Sequence, residues 1–284
     1  MTIKRLTGIY LFEVINSNPN GDPDSANSPR INPNNGKGVV SHSCINRKIR
    51  DYAEREYNSI IAIRKDGNFK EFASKIESLD DFNKEYFDVR MFGNVFCKGI
   101  GKESLKDDSN KDDTNKDDKK TKKNKKTKAS PKSICGAVQV SHAFSVDPIS
   151  TYRFTNTRMM AADQNQSMGN GEIVDYGLYK STFYVDPKMA KKQNVSEKDI
   201  DIFIEALMKM WEGSRSACRT DIHPRALVVF EHENDLDILS HKLINCVKIV
   251  KNIDGIPTKP EDYSISIDEA NVPSGIKIFK SFID

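Results

Sequence analysis

The chain predicts an α+β fold, because its patterned segments follow one another as strand, helix, strands, helix, strand, the βαββαβ order of a ferredoxin-like core. Two signals support that order. Runs at 3–16 and 225–233 are rich in β-branched and aromatic residues, as strands require. Segments 41–57 and 196–215 space their apolar residues at helical intervals behind a serine.

Taken in order, "IKRLTGIYLFEVIN" (3–16) is a first strand, and a polar loop follows it. "SHSCINRKIRDYAEREY" (41–57) reads as a helix capped by Ser41, with Ile45, Ile49, Tyr52, Ala53 and Tyr57 as its apolar face. Residues 59–88 read as strand-poor and partly helical, leading into "DVRMFGNVF". β-like patterning resumes at "ICGAVQVSHAFSVDPI" (134–149), where His142 is expected to be a structural histidine, as is His232 further on. Residues 155–176 lack core periodicity and predict an extended excursion, after which "GLYKSTFYVDP" is again a strand. Ser196 caps the clearest helix, whose predicted stripe is Ile200, Phe203, Ile204, Leu207, Met208 and Trp211. "RALVVFEHE" reads as a buried strand, and "DYSISI" and "GIKIFK" as two short closing strands.

With 284 residues the chain is long enough to bury a sizeable core as one elaborated domain. It has no run of eighteen apolar residues and no secretory pattern at its start, so a cytoplasmic address is expected. Its five cysteines, Cys44, Cys97, Cys135, Cys218 and Cys246, are scattered without a CxxC pair, which argues against a disulfide framework and a zinc site. The net charge of +3 is misleading. Segment 101–133 holds 12 Lys against 7 acidic residues, and the remainder of the 44 basic and 41 acidic residues divides 32 to 34. Basicity therefore lies in a low-complexity segment that reads as a disordered loop, and any case for nucleic-acid binding elsewhere rests on local placement.

The loop "NSNPNGDPDSANSPR" raises three chemistries. Starting at Asn16 it imitates a calcium loop, but its twelfth position is Asn27 rather than Glu, and Pro19 and Pro23 break the register. "NNGKGVV" lacks the spacing of a phosphate loop, and no GxGxxG is present. Asp22 is a candidate for assisting RNA cleavage, without a recognisable acidic partner. A turn rich in Asn and Gly, beside a helix N-terminus with Arg47 and Arg50 one or two turns on, offers donors to a sugar–phosphate backbone, while a solvated helix face beside a surface loop reads the same residues equally well.

Six blocks in order, "NSNPNGDPD…PRINP", "GKGVVSHSCINRKIRDY", "DVRMFG", "GAVQVSHAFSVDPI", "SMGN…DYGLYKSTFYV" and "ALMKMWEGSRSACR…ALVVFEHE", resemble the CRISPR-associated backbone subunit of type I Cascade complexes, within the RAMP superfamily. The resemblance is closest to the type I-C branch, with type I-B next, and spans nearly the whole chain. It implies a right-hand-like single domain over 1–284: palm at 1–58, finger-side insertion at 59–133, palm strand at 134–154, thumb at 155–176 and the palm remainder at 177–284. It further implies a non-enzymatic subunit without cofactor that polymerises along a CRISPR RNA and presents it to target DNA. Neighbouring copies, the other Cascade subunits and a recruited helicase-nuclease would be its partners. The rival is a type III-like endonuclease using Asp22.

By position, the resemblance implies an RNA track of Asn18, Asn20, Gly21, His42, Ser43, Asn46, Arg47 and Arg50. Arg90, Phe92, Gly93 and Gln139 would be palm contacts, joined by Arg158, Arg215 and Arg219. Met159, Met160, Met168 and Gly169 would form the thumb wedge against a displaced base. Asn46 stands where relatives often carry Lys, and Ala137 where Pro is usual.

Overall fold

The computed structural model describes residues 3–64, 84–96, 132–157, 168–234 and 237–282. In chain order its elements are β1 (Leu6–Ser17), β2 (Gly21–Asp22), β3 (Ser28–Pro29), β4 (Lys37–Val40), α1 (His42–Tyr57), α2 (Phe87–Phe92), β5 (Gly93–Phe96), β6 (Lys132–Cys135), β7 (Val138–Val140), β8 (Ala143–Pro148), β9 (Thr151–Thr157), β10 (Met168–Val185), α3 (Pro187–Lys192), α4 (Glu197–Lys209), β11 (Ile222–His232), α5 (Ser240–Cys246), β12 (Val247–Lys251), β13 (Tyr263–Ile267) and β14 (Ile276–Phe282).

The main sheet runs β14-β11-β1-β10-β8-β4, and its neighbours pair antiparallel. Its inner four strands, β11-β1-β10-β8, with α1 and α4 as crossovers, reproduce the ferredoxin-like order in which the first strand lies between the third and fourth. The α+β core expected from the sequence is therefore the observed one, widened by β14 at one edge and β4 at the other.

One face of the sheet carries α1 and α4, and Tyr10, Phe12, Tyr179, Phe183 and Trp211 are buried between them. The other face packs Ile9, Leu11, Leu178, Val228 and Phe230 against α5 and the β12–β13 hairpin. β1 is covered on both sides, which is why its run is nearly continuous in apolar residues rather than alternating. Trp211 Nε1 donates to the Tyr10 hydroxyl at 3.0 Å, satisfying the polar handle of a large buried ring. The buried exceptions in β1 are paired: Thr7 meets His232 Nε2 at 3.0 Å, and Glu13 accepts from Arg225 and the Tyr176 hydroxyl.

Local signals place the helices well. Ser41 Oγ accepts from Cys44 N at 3.2 Å, and Ser196 and Asp199 close a capping box at α4. Two apolar faces are corrected. Tyr57 is 36% exposed, because α1 ends there and its hydroxyl turns to Glu205. The buried stripe of α4 and the residues after it is Ile202, Phe203, Ala206, Leu207, Met210 and Trp211, with Ile200, Ile204 and Met208 only partly covered. Asp199 on that inward side is tied to Arg90, which rotates the helix by about one residue from the most apolar orientation.

Of the predicted excursion at 155–176, the described residues 155–157 lie on β9 and 168–176 on β10, the two strands pairing from Thr151↔Val174 to Thr157↔Met168. Ile173, Val174 and Tyr176 are buried in the core rather than part of an excursion, and residues 158–167 lie outside the described residues. Segment 97–131 lies outside the described residues, and the strands flanking it, β5 and β6, pair directly with each other. No described helix is long and apolar enough to cross a membrane.

Candidate nucleic-acid interface

The first loop is seated on the start of α1 by the residues the sequence singles out. Asn18 donates its side-chain amide to Asn27 O at 2.6 Å and to Glu172 O at 3.3 Å, and its backbone N–H reaches Cys218 O at 2.6 Å. Asn20 Oδ1 accepts from Ser41 N at 2.8 Å, so the loop is fastened to the residue that caps the helix. At Gly21 a Cβ would meet Asn27 O at 2.7 Å, and only a residue without one fits beside the returning chain. Asp22 accepts from Asp24 N at 3.3 Å and pairs with Arg30 at 3.3 Å, so its carboxylate holds the turn.

At the helix start His42 and Ser43 are exposed. His42 N donates to His142 Nδ1 at 3.0 Å, and the two rings meet edge-on at 4.8 Å. Burial and, next, the neighbouring His142 hold the His42 pKa below the usual histidine value. His142, expected to be a hydrogen-bonded structural histidine, does accept the bond from His42 N, but it stands exposed between β7 and β8, where pairing with β10 is interrupted. His232 is buried and hydrogen-bonded, as expected of a structural histidine.

The helical arginines are engaged internally. Arg47 is clamped on Asp51 and the Ile63 carbonyl. Arg50 donates to Asp88 at 2.9 Å and lies over the Phe92 ring at 5.1 Å, and the fully buried Asp88 also accepts from Ala62 N and Ile63 N. Arg90 forms a two-pronged bond to Asp199 at 3.0 and 2.6 Å. Phe92 packs edge-on to Phe203 at 6.3 Å, and Gly93, at φ +74°, sits where a Cβ would strike Ile134 O at 2.3 Å. These residues form struts beneath the surface.

Gln139 is exposed on β7, and Arg215 is exposed and paired with Glu212 at 2.6 Å. Arg219 is half-buried, and among the described residues its guanidinium makes no ion pair or hydrogen bond. Asn46 is half-buried in the first turns of α1. Arg158, Met159 and Met160 lie outside the described residues, and Met168 and Gly169 pair with Thr157 and Asn156 at the outer end of β10.

The structure adds two residues that sequence reasoning passed over. Burial pushes the Cys44 thiol up, and Lys48 from α1, Arg219 and Arg30 from the loop are near enough to favour its anion while Asp51 opposes it. The signal for Arg30 was present in the quoted "PRINP", but nothing local relates residues 30, 48 and 219. The arrangement is thus a helix N-terminus with an exposed histidine and serine, beside Arg219, whose guanidinium no described residue engages, while Arg30 is held by Asp22 and Lys48 is buried.

Comparison with known proteins gives the family. The family model described as CRISPR-associated protein Cas7 matches residues 4–268. A protein of Haloferax volcanii with the name CRISPR-associated protein Cas7 is 22% identical over 82% of this chain and 72% of its own length. Similar solved structures include a chain of a CRISPR RNA-guided surveillance complex in a pre-nicking state, 12% identical with a TM-score of 0.48, covering 83% of this chain and 80% of that one. A second such surveillance complex gives 15% identity and a TM-score of 0.46, covering 83% and 72%. A type III-B Cmr-beta complex bound to cognate target RNA gives 10% and 0.42, covering 80% and 61%. With the family model matched over nearly its whole length, the chain belongs to the Cas7 family of CRISPR-associated proteins.

Proposed function

We propose that this chain is a guide-RNA-binding backbone subunit of a type I surveillance complex, of the I-C branch, working in the prokaryotic cytoplasm. The observation that supports the reading is the first loop fastened through Asn20 to Ser41 beside the exposed His42 and Ser43 at the α1 N-terminus, with the unengaged Arg219 guanidinium within electrostatic range of Cys44 on the same helix turn, in a chain of the Cas7 family. Copies line up along the spacer of a CRISPR RNA. Each holds the sugar–phosphate backbone without reading bases, and sequence is read by pairing of the guide with target DNA. His42, Ser43, Asn46, Arg219 and the loop around Asn20 and Gly21 face the strand, while Arg47, Arg50 and Arg90 support that surface from beneath. The β9–β10 hairpin is the thumb, reaching a neighbouring copy. The large, small and guide-processing subunits and a helicase-nuclease complete the system.

The subunit acts without catalysis or cofactor in this reading. The Asp22 carboxylate is committed to Arg30 and to its own turn, which disfavours the endonuclease alternative. The test is co-purification from cells carrying the neighbouring genes, followed by sequencing of the bound RNA. Repeat-flanked guides are expected. RNA of random origin would overturn the assignment, and regularly spaced target-RNA cuts lost in Asp22→Ala would establish the endonuclease instead.

A further inference from the structure

A second cationic surface lies on the other face of the sheet. β4, β8 and β10 form the floor of a groove of about 760 Å³ and β12 with the end of α5 its wall, a volume within the ~300–1,000 Å³ of ligand sites. Lys37, Lys180 and Lys248 enter it from three different elements, and none of its lining residues is acidic. Among the described residues none of these three ammonium groups has an ion pair or side-chain hydrogen bond. Lys180 is half-buried, and burial holds its pKa below the usual lysine value. Its cross-strand partner is Phe144, which leaves 44% of its surface exposed although it stands on an inner strand of the sheet. His142 meets the Phe144 ring edge-on at 6.4 Å, and Thr182 and Asn245 add neutral hydrogen-bonding groups.

Lys180, partly desolvated and without a counter-ion, holds an electrostatic cost that an anionic ligand removes, and Lys37 and Lys248 add positive charge beside it. Their spread over β4, β10 and β12 fits charges in a row rather than one small anion. An exposed ring on the floor between them offers a stacking platform, and pairing such a platform with a backbone-tracking basic groove is how single strands are held without sequence readout. We propose that this groove binds single-stranded nucleic acid, with a base stacked on Phe144 and phosphates on Lys37, Lys180 and Lys248. It goes beyond the guide track proposed above, from which it is separated by the sheet itself, and touches it only at the His42–His142 contact.

The test uses the full chain, stripped of nucleic acid, with a single-stranded oligouridylate carrying 5-iodouridine. Photo-crosslinking followed by peptide mapping is expected to place a crosslink on Phe144. In titrations across salt, Lys180→Ala with Lys248→Ala lowers the slope of log K against log salt by about 1.4, two phosphate contacts on a single strand. Phe144→Ala weakens binding about 5- to 150-fold and leaves the slope unchanged. Lys248→Glu, on an exposed position of β12, gives the loss without touching the sheet. Crosslinks confined to residues 18–47 with an unchanged slope would overturn the groove while leaving the guide track intact. A chain that binds no single strand at all overturns it as well. So does a Lys248→Glu variant that alters only the sedimentation of the chain, which would make the groove a contact between copies.

Discussion

The resemblance assigns Arg50 and Arg219 alike to RNA binding, and the molecule treats them in opposite ways. Arg50 is enclosed, its charge met by the fully buried Asp88 and its face covered by Phe92. Arg219 is held on a short turn with Ser216 and keeps a guanidinium that no described residue engages. On sequence alone Arg50 is the stronger binding candidate, since it sits in a helix beside Arg47 near an N-terminus. The comparison teaches that a cation is available to a ligand only where the fold has not already supplied its carboxylate.

The largest expected effect breaks the comparison at its buried end. Arg50→Ala leaves Asp88 charged and enclosed, and costs about 3–5 kcal/mol of stability, measured by urea denaturation. A loss under about 1 kcal/mol would mean that Arg50 is a surface residue after all. At the open end, Arg219→Ala leaves stability within about 0.5 kcal/mol, as for a substitution outside any network. It lowers the salt slope of guide-RNA binding by about 0.7, one phosphate contact on a single strand. Filter binding between low and moderate salt reads that slope, and an unchanged value removes Arg219 from the track.

The smallest effect sharpens the boundary between the two surfaces, at His42 and His142. Burial and the adjacent His142 depress the folded pKa of His42 below its ordinary 6.5, so the folded state favours the neutral ring. Its contribution to stability is complete above that ordinary value and is lost as pH falls through the folded one. Melting temperature is therefore expected to drop less steeply between about pH 7.5 and 5 in His42→Gln than in the parent chain. Equal slopes would show that the His42–His142 contact is not maintained in solution.

What was legible in the sequence follows from what is local. The caps at Ser41 and Ser196 were readable because their acceptors and donors lie three residues apart. The strand order was readable because apolar runs mark β1 and β11 without reference to their neighbours. The inward face of α4 was misplaced by one residue, because Asp199 turns inward to meet Arg90, 109 positions away. The same distance problem hid the site. Arg30, Lys48 and Arg219 share no spacing, and only the path of the sheet brings the loop after β1, the first helix and the turn before β11 together.

The sequence by itself determined the α+β core, its two crossover helices with their caps, the loop that rests on the first helix, and the resemblance to the family, because these rest on periodicity, capping chemistry and short motifs. Only the tertiary structure decided which cations are struts and which are free, and that a second basic groove opens beside Phe144 on the opposite face. The reason is that the availability of a charge depends on whether a partner from a distant segment lies within a few ångströms. Long-range chain placement sets that distance.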